Sequence, residues 1–505
     1  MSVARPMAGL LLLPILQGCA FVQGTFFAGP PEPSPLEMQR DSILGVSPLD
    51  GSLWGILAVD AATGDTLYSE NAGRRFIPAS NQKVLTVAAA LDRLGPDYRW
   101  STAIYSLAGA PDEGGAIYGD VVIPALGDPT LGPPFHPSGA DAIDALVQRL
   151  QGAGVQRITG EILIDVSAWD STSVPGSWMV EDLPLGYGAS GGAFAVNRGT
   201  VDVNLYGGTV PGAPPIVTWS PRGSPDFIDS RVTTASSGDV APVRGYWLPE
   251  SGRLRLEGSV PAERVERASV SMRDPVMESA RALRNRMLEA GMVVEGGVRI
   301  LWDRDLPLRA GCASGYIESC AFALEVMRLE SPPLSRVAQV MLETSDNWMA
   351  EQLLRTLGHE AEGVGSREAG FRAVAAYLTG LGIPEHDYHL ADGSGLSVHN
   401  LLTPGTLVTV LHHMETGPHA AAFRDALAAP GEMDSSLEER LLGLRGRFVG
   451  KTGTLRHVNS LSGYLTRPSG ISVYVAMMSN GGGLPADDIR EAMDRLLIEL
   501  DRTLP

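Results

Sequence analysis

Helical and strand patterns follow one another in three blocks along this chain, and this order constrains the fold more than any single motif. The first and last blocks mix strand-like runs with helical periodicity, whereas 99–272 consists of short strand-like pieces broken by glycine and proline. We therefore predict an α/β body, built from residues 41–98 and 273–505, that carries a β-rich insertion of one or two small domains at 99–272. The clearest elements are a hairpin (Leu53–Val59 and Thr66–Tyr68), four helices (Ser80–Leu94, Pro275–Ala290, Leu334–Leu357, Asp487–Leu500) and the strands Leu461–Leu465 and Ile471–Met478.

The N-terminal segment is typical of an export signal. Residues 1–24 contain Arg5, an apolar run from Met7 to Leu16, and small Gly18 directly before Cys19. The apolar run is too short to span a bilayer but suits the core of a signal peptide. Cys19 lies where a bacterial lipobox places its lipidated cysteine, while ordinary cleavage near residues 20–24 is the alternative. The proline-rich residues 25–40 then predict a tether, and the protein is expected in the periplasm or cell envelope, lipid-anchored through Cys19.

Two further cysteines, Cys312 and Cys320, lie eight positions apart. In an oxidising compartment this spacing suits a short disulfide loop, and the alternative is two unpaired thiols. With Cys19 assigned to a lipid, the even count of the remaining cysteines favours the disulfide.

The charge distribution is unusual in its sign and in its choice of cations. The 39 basic and 58 acidic residues give a net charge of −19 at pH 7, which argues against nucleic acid or an anionic membrane surface as the main partner. Only Lys83 and Lys451 among the basic residues are lysines. Arginine stays protonated in proteins, whereas a buried lysine can lose its proton, so these two positions are candidates for chemistry.

Lys83 closes a Ser-x-x-Lys sequence, Ser80-Asn81-Gln82-Lys83, at the start of a predicted helix. A spacing of three places both side chains on one helical face, one turn apart. A serine hydroxyl is a poor nucleophile until a neighbouring base accepts its proton, and a lysine neutralised by burial can serve as that base.

Two other short sequences complete a possible site. Lys451-Thr452-Gly453-Thr454 follows an apolar strand, where a cation, a hydroxyl and a glycine suit docking of a peptide by its terminal carboxylate. Ser345-Asp346-Asn347 interrupts the helical stretch Leu334–Leu357 and offers a hydroxyl and an amide for proton transfer and substrate binding. Each triplet alone is weak evidence, but the three in this order, with both lysines included, are specific.

With these motifs the chain resembles the penicillin-recognising serine acyl enzymes, and among them the class C low-molecular-mass penicillin-binding proteins. Those are D-alanyl-D-alanine carboxypeptidases and endopeptidases. The resemblance runs from about residue 41 to the end and implies a transpeptidase-like (β-lactamase-like) body, with an antiparallel sheet flanked by helices and domains inserted after the Ser-x-x-Lys helix. Further matching stretches are Gly127-Asp128-Pro129-Thr130-Leu131, Ala350-Glu351 and Asp392-Gly393-Ser394-Gly395-Leu396-Ser397.

The resemblance also implies roles for individual residues. Ser80 is the acylated nucleophile, Lys83 its base, and Ser345 and Asn347 complete the proton network. Lys451 and Thr452 bind the terminal carboxylate beside Gly453, and the backbone amides of Ser80 and Thr454 form the oxyanion hole. In this family the insertion also supplies a carboxylate for the amine end of the stem-peptide side chain. Asp165 is the candidate for that carboxylate, with a turn or capping aspartate as the alternative.

Three other patterns point to different chemistry and are interpreted as structural. Gly188-Ala189-Ser190-Gly191-Gly192 satisfies the nucleophile-elbow pattern but lacks the strand and helix that an elbow needs, so we predict a loop. His412-His413 suits a helix, and no metal or other cofactor is implied. Asp392–Ser397 has no phosphate-loop lysine and suits a rigid turn near the cleft.

The sequence thus predicts an exported serine D-Ala-D-Ala carboxypeptidase or endopeptidase. It would act on peptidoglycan stem peptides through a Ser80 acyl-enzyme that β-lactams also form. The alternatives are a catalytically silent peptidoglycan-binding scaffold and a β-lactamase-like hydrolase.

Overall fold

The computed structural model describes residues 35–171, 174–224, 227–236, 240–248, 250–251, 253–302, 323–470 and 472–503. The predicted signal segment, the Cys19 lipid site and the Cys312–Cys320 disulfide lie outside these residues. Before the insertion the chain forms α1 (Pro35–Leu44), β1 (Leu53–Asp60), β2 (Thr66–Glu70) and α2 (Gln82–Leu94).

The described residues of the inserted part form many short strands and two α-helices. They are β3 (Ser101–Ser106), β4 (Ala116–Ile117), β5 (Val121–Pro124), α3 (Gly139–Gly152), β6 (Arg157–Ile158), β7 (Ile162–Asp165), β8 (Thr200–Tyr206), β9 (Ile216–Ser220), β10 (Ile228–Ser230), β11 (Thr233–Ala235), β12 (Arg244–Trp247), β13 (Leu254–Glu257), β14 (Ser259–Pro261), β15 (Val265–Ser271), α4 (Pro275–Glu289), β16 (Val293–Val294), β17 (Val298–Leu301) and β18 (Leu324–Glu330).

The remainder of the chain returns to a helix-rich pattern and ends with three long strands and a helix. Its elements are α5 (Leu334–Glu343), α6 (Asn347–Glu362), α7 (Arg367–Gly380), β19 (Tyr388–His389), β20 (Leu401–Leu402), α8 (Pro404–Thr416), α9 (Ala420–Asp425), β21 (Phe448–Leu455), β22 (Val458–Thr466), β23 (Ser472–Asn480) and α10 (Ala486–Thr503).

The body is organised around a five-stranded antiparallel sheet that both ends of the chain build together, in the order β2-β1-β23-β22-β21. Successive side chains of a strand point to opposite faces. In β23, Val473, Val475 and Met477 therefore pack with α1 and α10. Tyr474 and Met478 pack on the other face with α2, α5 and α8. The sheet is thus covered by helices on both faces, as the sequence predicts.

The helix α2 lies at the centre of the larger helical layer. All its residues from Gln82 to Leu91 are buried, including the lysine in its first turn. Gly95 ends the helix with a φ of +78°, a conformation that glycine adopts without strain. Because the helix is buried on all sides, polar groups that it carries must find partners inside the protein.

The insertion is a separate layer of sheets with its own core. Its largest sheet has the order β17-β7-β5-β3-β18, and α3 and α4 pack against it around Ile123, Ile164, Leu146 and Leu283. Smaller sheets of two or three strands, such as β15-β8-β9 and β10-β13-β12, extend from it.

The structure corrects two predicted boundaries. The insertion does not end at residue 272 but continues to Glu330, because β18 pairs with β3, the first strand after α2. Helix Pro275–Glu289 was expected in the body and belongs to the insertion instead. The predicted tether at 25–40 overlaps α1, whose Leu36 and Ile43 are buried in the core shared with α10.

No helix within the described ranges is both long enough and apolar enough to cross a membrane.

Candidate active site

The serine of the Ser-x-x-Lys sequence lies on a short 3-10 turn, Ala79–Asn81, that leads directly into α2. The turn is attached to the sheet through Asn81, which donates a hydrogen bond to Ser460 Oγ at 2.7 Å and accepts one from Ser462 Oγ. Ser460 Oγ in turn donates to the Pro78 carbonyl at 2.6 Å. Hydrogen bonds from strand β22 therefore fix the turn, and with it the position of the Ser80 hydroxyl.

Lys83 is fully buried, and its ammonium nitrogen contacts three oxygen atoms. Nζ lies 2.9 Å from Ser80 Oγ, 2.7 Å from Asn347 Oδ1 and 2.7 Å from the Ser394 carbonyl oxygen. The amide oxygen and the carbonyl oxygen can only accept hydrogen bonds. A neutral lysine with two N–H groups therefore uses both on these acceptors, and its lone pair is left for the Ser80 hydroxyl proton.

Burial also brings the basicity of Lys83 into the range of a working base. Desolvation lowers the pKa of its ammonium from 10.5 to about 8, against the opposing effect of nearby carboxylates, of which Asp392 contributes most. An amine with a pKa near 8 is partly neutral at physiological pH and still a good proton acceptor.

The Ser394 carbonyl that contacts Lys83 is positioned by a network of buried carboxylates. Glu351 Oε1 accepts hydrogen bonds from the amides of Gly393 and Ser394 at 2.8 and 2.9 Å. Asp392 accepts from the amides of Gly395 and Ser397, both at 2.6 Å. The Asp392–Ser397 segment is thus a rigid turn at the cleft, as predicted. Its contact with the base through a backbone carbonyl has no sequence signal.

Ser345-Asp346-Asn347 forms the break between α5 and α6. Ser345 has a φ of +61°, which turns the chain sharply. Asp346 caps α6 by accepting from the Met349 amide at 2.8 Å, and it also forms an ion pair with Arg198 of the insertion at 3.0 Å. Asn347 contacts Lys83 through its oxygen and donates through Nδ2 to the Tyr187 carbonyl at 3.0 Å. These bonds fix the amide with its oxygen toward the base.

Strand β21 brings the second lysine to the same site. Lys451 is fully buried, and its Nζ donates to the Thr452 carbonyl at 2.7 Å. Burial lowers the pKa of Lys451 well below its usual value, and the charge of Lys83 lowers it further. An incoming anion would offset both effects and favour the charged form of Lys451.

Gly453 is the point where β21 approaches the turn Ala79–Asn81, which carries Ser80. A Cβ at this position would lie 2.9 Å from the Ser80 amide nitrogen and 2.8 Å from the Pro78 carbonyl oxygen. Both distances are shorter than carbon makes with backbone atoms, so a glycine is required for the strand to lie this close.

These elements enclose a cleft of about 420 Å³. Ser80, Ser345, Asn347 and Thr454 line it, while Lys83 and Lys451 are buried beneath its surface. The structure therefore brings the three predicted motifs into one place. Within the described residues no group of three or more His, Cys, Asp or Glu side chains is placed to hold a metal ion.

A comparison of the sequence with known protein families agrees with the order of these motifs. The sequence model of the D-Ala-D-Ala carboxypeptidase 3 (S13) family matches residues 36–500. The chain belongs to this family. It is a serine peptidase of the D-Ala-D-Ala carboxypeptidase type, and the resemblance derived from the motifs is confirmed.

Relatives of this S13 protein match over nearly its whole length. The D-alanyl-D-alanine carboxypeptidase of Actinomadura sp. (strain R39) is 29% identical over 498 residues, which cover 96% of this chain and 88% of that protein. The D-alanyl-D-alanine carboxypeptidase DacB of Haemophilus influenzae is 23% identical over 470 residues, which cover 90% of this chain and 91% of that protein. The solved structure of penicillin binding protein 4 from the same organism has a TM-score of 0.77 at 22% identity and covers 92% of this chain and 99% of that one. The predicted fold class is confirmed.

The structure does not bring Asp165 to the cleft of this S13 enzyme. Asp165 ends β7, an interior strand of the main insertion sheet, where it is 1% exposed and accepts a hydrogen bond from the Ser167 amide at 2.9 Å. It therefore has the turn-forming role that was the alternative. Burial raises the pKa of this carboxyl group.

The insertion contributes a different acidic pair, Glu181 and Asp182, to the cleft wall. Asp182 accepts a hydrogen bond from the Tyr187 hydroxyl at 2.7 Å. Their loop has no periodic pattern, so the sequence does not single out these two residues. The sequence signal that was available is a pair of adjacent carboxylates directly after the apolar residues Met179 and Val180.

Proposed function

We propose that Ser80 is the nucleophile of this D-Ala-D-Ala peptidase and that neutral Lys83 accepts its proton. The observation that carries the assignment is the arrangement around Lys83 Nζ, with Ser80 Oγ at 2.9 Å and two obligate acceptors at 2.7 Å. Ser80 Oγ forms a bond to the carbonyl carbon of the penultimate D-alanine as the proton passes to Lys83. The backbone amides of Ser80 and Thr454 stabilise the oxyanion that develops.

The second half of the acylation step removes the terminal amine. The proton on Lys83 passes through the Ser345 hydroxyl to the departing amine, and the C–N bond breaks to leave an acyl-Ser80 ester. Water then hydrolyses this ester with Lys83 again as the base. The Asn347 side chain orients the substrate amide as well as the base.

Recognition of the substrate follows from the charged groups around the cleft. Lys451 and Thr452 bind the terminal carboxylate, a role supported by the complete burial of this cation beside the nucleophile strand. On the insertion side, Glu181 and Asp182 replace Asp165 as the carboxylates suited to an amine on the stem-peptide side chain. β-Lactams mimic the acyl-D-alanyl-D-alanine end and acylate the same serine. One solved structure of the Haemophilus influenzae protein is a complex with a β-lactam.

The decisive experiment is covalent labelling with fluorescent penicillin. The purified protein takes up one label per chain, the Ser80→Ala variant takes up none, and Ser190→Ala, the serine of the elbow-like loop, is labelled as the wild type is. Equal labelling of Ser80→Ala, or no labelling of the wild type, would overturn the assignment.

The lifetime of the label separates a long-lived peptidase adduct from the rapid turnover of a β-lactamase. Mass spectrometry of digested cross-linked muropeptides measures how much endopeptidase accompanies carboxypeptidase activity.

We also propose that the protein is exported and anchored at the cell envelope through lipidated Cys19. The lipobox-like order of Gly18 and Cys19 after an apolar run supports this location. Mass spectrometry of the N-terminus of membrane-fraction protein tests it, and an unmodified N-terminus beyond Cys19 would exclude the anchor.

A further inference from the structure

A second, larger groove lies beside the cleft on the side of the insertion. It encloses about 910 Å³ between the loop 174–190 and the strand β12. Glu181 lines both the groove and the catalytic cleft, so the two spaces are adjacent at this side chain. A ligand that extends out of the cleft past Glu181 reaches this groove.

The surface of the groove is apolar and aromatic, with cations at its edge. Val180 and Tyr246 are exposed large side chains, at 78% and 45% of their full area, and Trp247 packs beside them against Phe227. A cluster of exposed apolar side chains at a concave surface is typical of a binding site. The remaining lining includes Arg244, Arg273, Val174, Leu183, Val243 and Met272.

We propose that this groove binds the amino-sugar glycan of the peptidoglycan strand whose stem peptide occupies the catalytic cleft. The inference rests on the proposed function for the choice of substrate. It goes beyond that function because it assigns a separate site to the sugar part of the same molecule.

The chemistry of the groove suits an N-acetylated sugar. Sugar rings present C–H faces that stack on aromatic rings, which Tyr246 offers at the surface, and acetyl methyl groups pack on apolar walls such as Val180. The exposed cations Arg244 and Arg273 suit a carboxylate near the root of the stem peptide. An extended stem of three residues spans about 10 Å, so a peptide held in the cleft places its sugar in the neighbouring space.

The experiment compares two substrates that differ only in the sugar. One is a stem peptide that ends in D-Ala-D-Ala, and the other is the same peptide attached to its disaccharide. We expect Tyr246→Ala and Val180→Asp to raise KM for the disaccharide substrate by about tenfold. Neither variant changes kcat or penicillin labelling, and hydrolysis of the free peptide stays within about twofold of the wild type.

Two matched variants control for general surface effects. Tyr206→Ala removes a tyrosine that is 41% exposed on β8, and Val210→Asp places a charge at a valine that is 61% exposed, neither of them in the groove. Both are expected to treat the two substrates as the wild type does. Equal KM changes for both substrates in the groove variants, or no change for either, would overturn the proposal.

A binding measurement separates this proposal from the proposed function. Ser80→Ala protein is titrated with a disaccharide-peptide that lacks the terminal D-Ala-D-Ala and so cannot be a substrate. Binding that Tyr246→Ala abolishes supports the glycan site even if penicillin labelling fails. Labelling at Ser80 without such binding supports the catalytic assignment and overturns the glycan site.

Discussion

At the scale of single residues, the hydrogen bonds of Lys83 explain why the chain keeps a lysine there among so many arginines. An arginine at position 83 would stay protonated and could not accept the Ser80 proton. We expect Lys83→Arg to lower the rate of penicillin acylation by about 10²–10⁴-fold, the usual contribution of a general base. Stopped-flow or gel-based labelling rates measure this loss.

Lys451→Arg is the natural comparison, since it changes the only other lysine of the chain. An arginine still offers a cation to a carboxylate, so acylation should fall less than in Lys83→Arg. Because Lys451 is fully buried, the larger side chain should also cost about 1–3 kcal/mol of stability. Equal acylation losses in the two variants, with melting temperatures unchanged, would contradict this difference in roles.

The lowered pKa of Lys83 predicts a pH profile for acylation. Burial lowers the pKa of this ammonium to about 8, and only the neutral amine accepts the Ser80 proton. The second-order acylation rate should therefore rise with pH, about tenfold per unit below pH 8, and level off above it. A rate that is independent of pH between 6 and 9 would exclude Lys83 as the titrating base.

Much of the candidate site consists of particular side chains, and this is why the sequence predicts most of the site residues. The spacing of Ser80 and Lys83 and the triplets at 345 and 451 require particular side chains. The Ser394 carbonyl has no such requirement, because any residue provides a carbonyl, and the turn's three-dimensional path decides where it points. The prediction for Asp165 has weaker support for a related reason: an aspartate after a strand is common, and only its burial and contacts distinguish a turn residue from a binding one.

At the scale of elements, the approach of β21 to the nucleophile turn depends on one glycine. In Gly453→Ala the added methyl group would lie within 3 Å of the Ser80 amide and the Pro78 carbonyl. The strand must then move away from the turn and displace the Thr454 amide. We expect the acylation rate to fall by more than about tenfold while the protein stays folded.

Gly443→Ala provides a matched control for this substitution. A Cβ at Gly443 meets no atom within 4 Å, so this variant should acylate at the wild-type rate. Similar rates for both variants would show that the close approach at Gly453 is not needed for chemistry.

Glu351 on α6 acts as a positioning residue for the turn that contacts Lys83. Glu351→Ala removes the acceptor for the Gly393 and Ser394 amides and leaves buried Arg367 without this carboxylate. We expect a loss of stability of about 3–5 kcal/mol together with a displaced pH profile of acylation. Glu351→Gln keeps an oxygen for the amides but removes the charge that raises the pKa of Lys83, so it should restore the acylation rate more fully than the pH profile. A normal profile in a folded Glu351→Ala protein would exclude the positioning role.

Local periodicity predicts elements well but does not tell which unit they join. The helix at Pro275–Ala290 was expected where the structure has Pro275–Glu289, yet it packs in the insertion. Its periodic apolar face fits any core. The strand pairing that places this helix in the insertion joins β3 to β18, which lie more than 200 residues apart. Long-range pairing leaves no mark on a single sequence.

At the scale of the whole molecule, the insertion is bonded to two segments of the body that surround Lys83: the Ser345–Asn347 break and the Asp392–Ser397 turn. The Tyr187 carbonyl accepts from Asn347, Arg198 pairs with Asp346, and Trp178 Nε1 donates to Asp392 Oδ2 at 2.9 Å. The insertion therefore supports the base and its surroundings as well as the wall of the cleft.

Trp178→Phe tests this support, because it removes one hydrogen bond to a buried carboxylate. We expect a loss of about 1–3 kcal/mol and a several-fold slower acylation, measured by thermal unfolding and penicillin labelling. Trp169→Phe is the control: Trp169 is similarly buried, and among the described residues its Nε1 has no hydrogen-bond partner. Equal losses in the two variants would attribute the effect to ring size alone.

The pairing of β3 with β18 has a consequence for how such a molecule can be altered. Ser101 and Glu330 are register partners, so the chain leaves the body and returns to it at neighbouring points. A segment whose two ends meet in this way can be shortened, exchanged or excised at a single seam, with the surrounding framework intact. A replacement would have to rebuild the bonds to Asn347, Asp346 and Asp392. It would also have to rebuild the contacts of α6 with the insertion, such as Gln352 Nε2 to the Gly192 carbonyl at 2.8 Å and Arg355 to Asp170 at 3.1 Å. The seam makes the insertion one exchangeable unit of the chain, while its bonds to Asn347, Asp346 and Asp392 couple any exchange to the surroundings of Lys83.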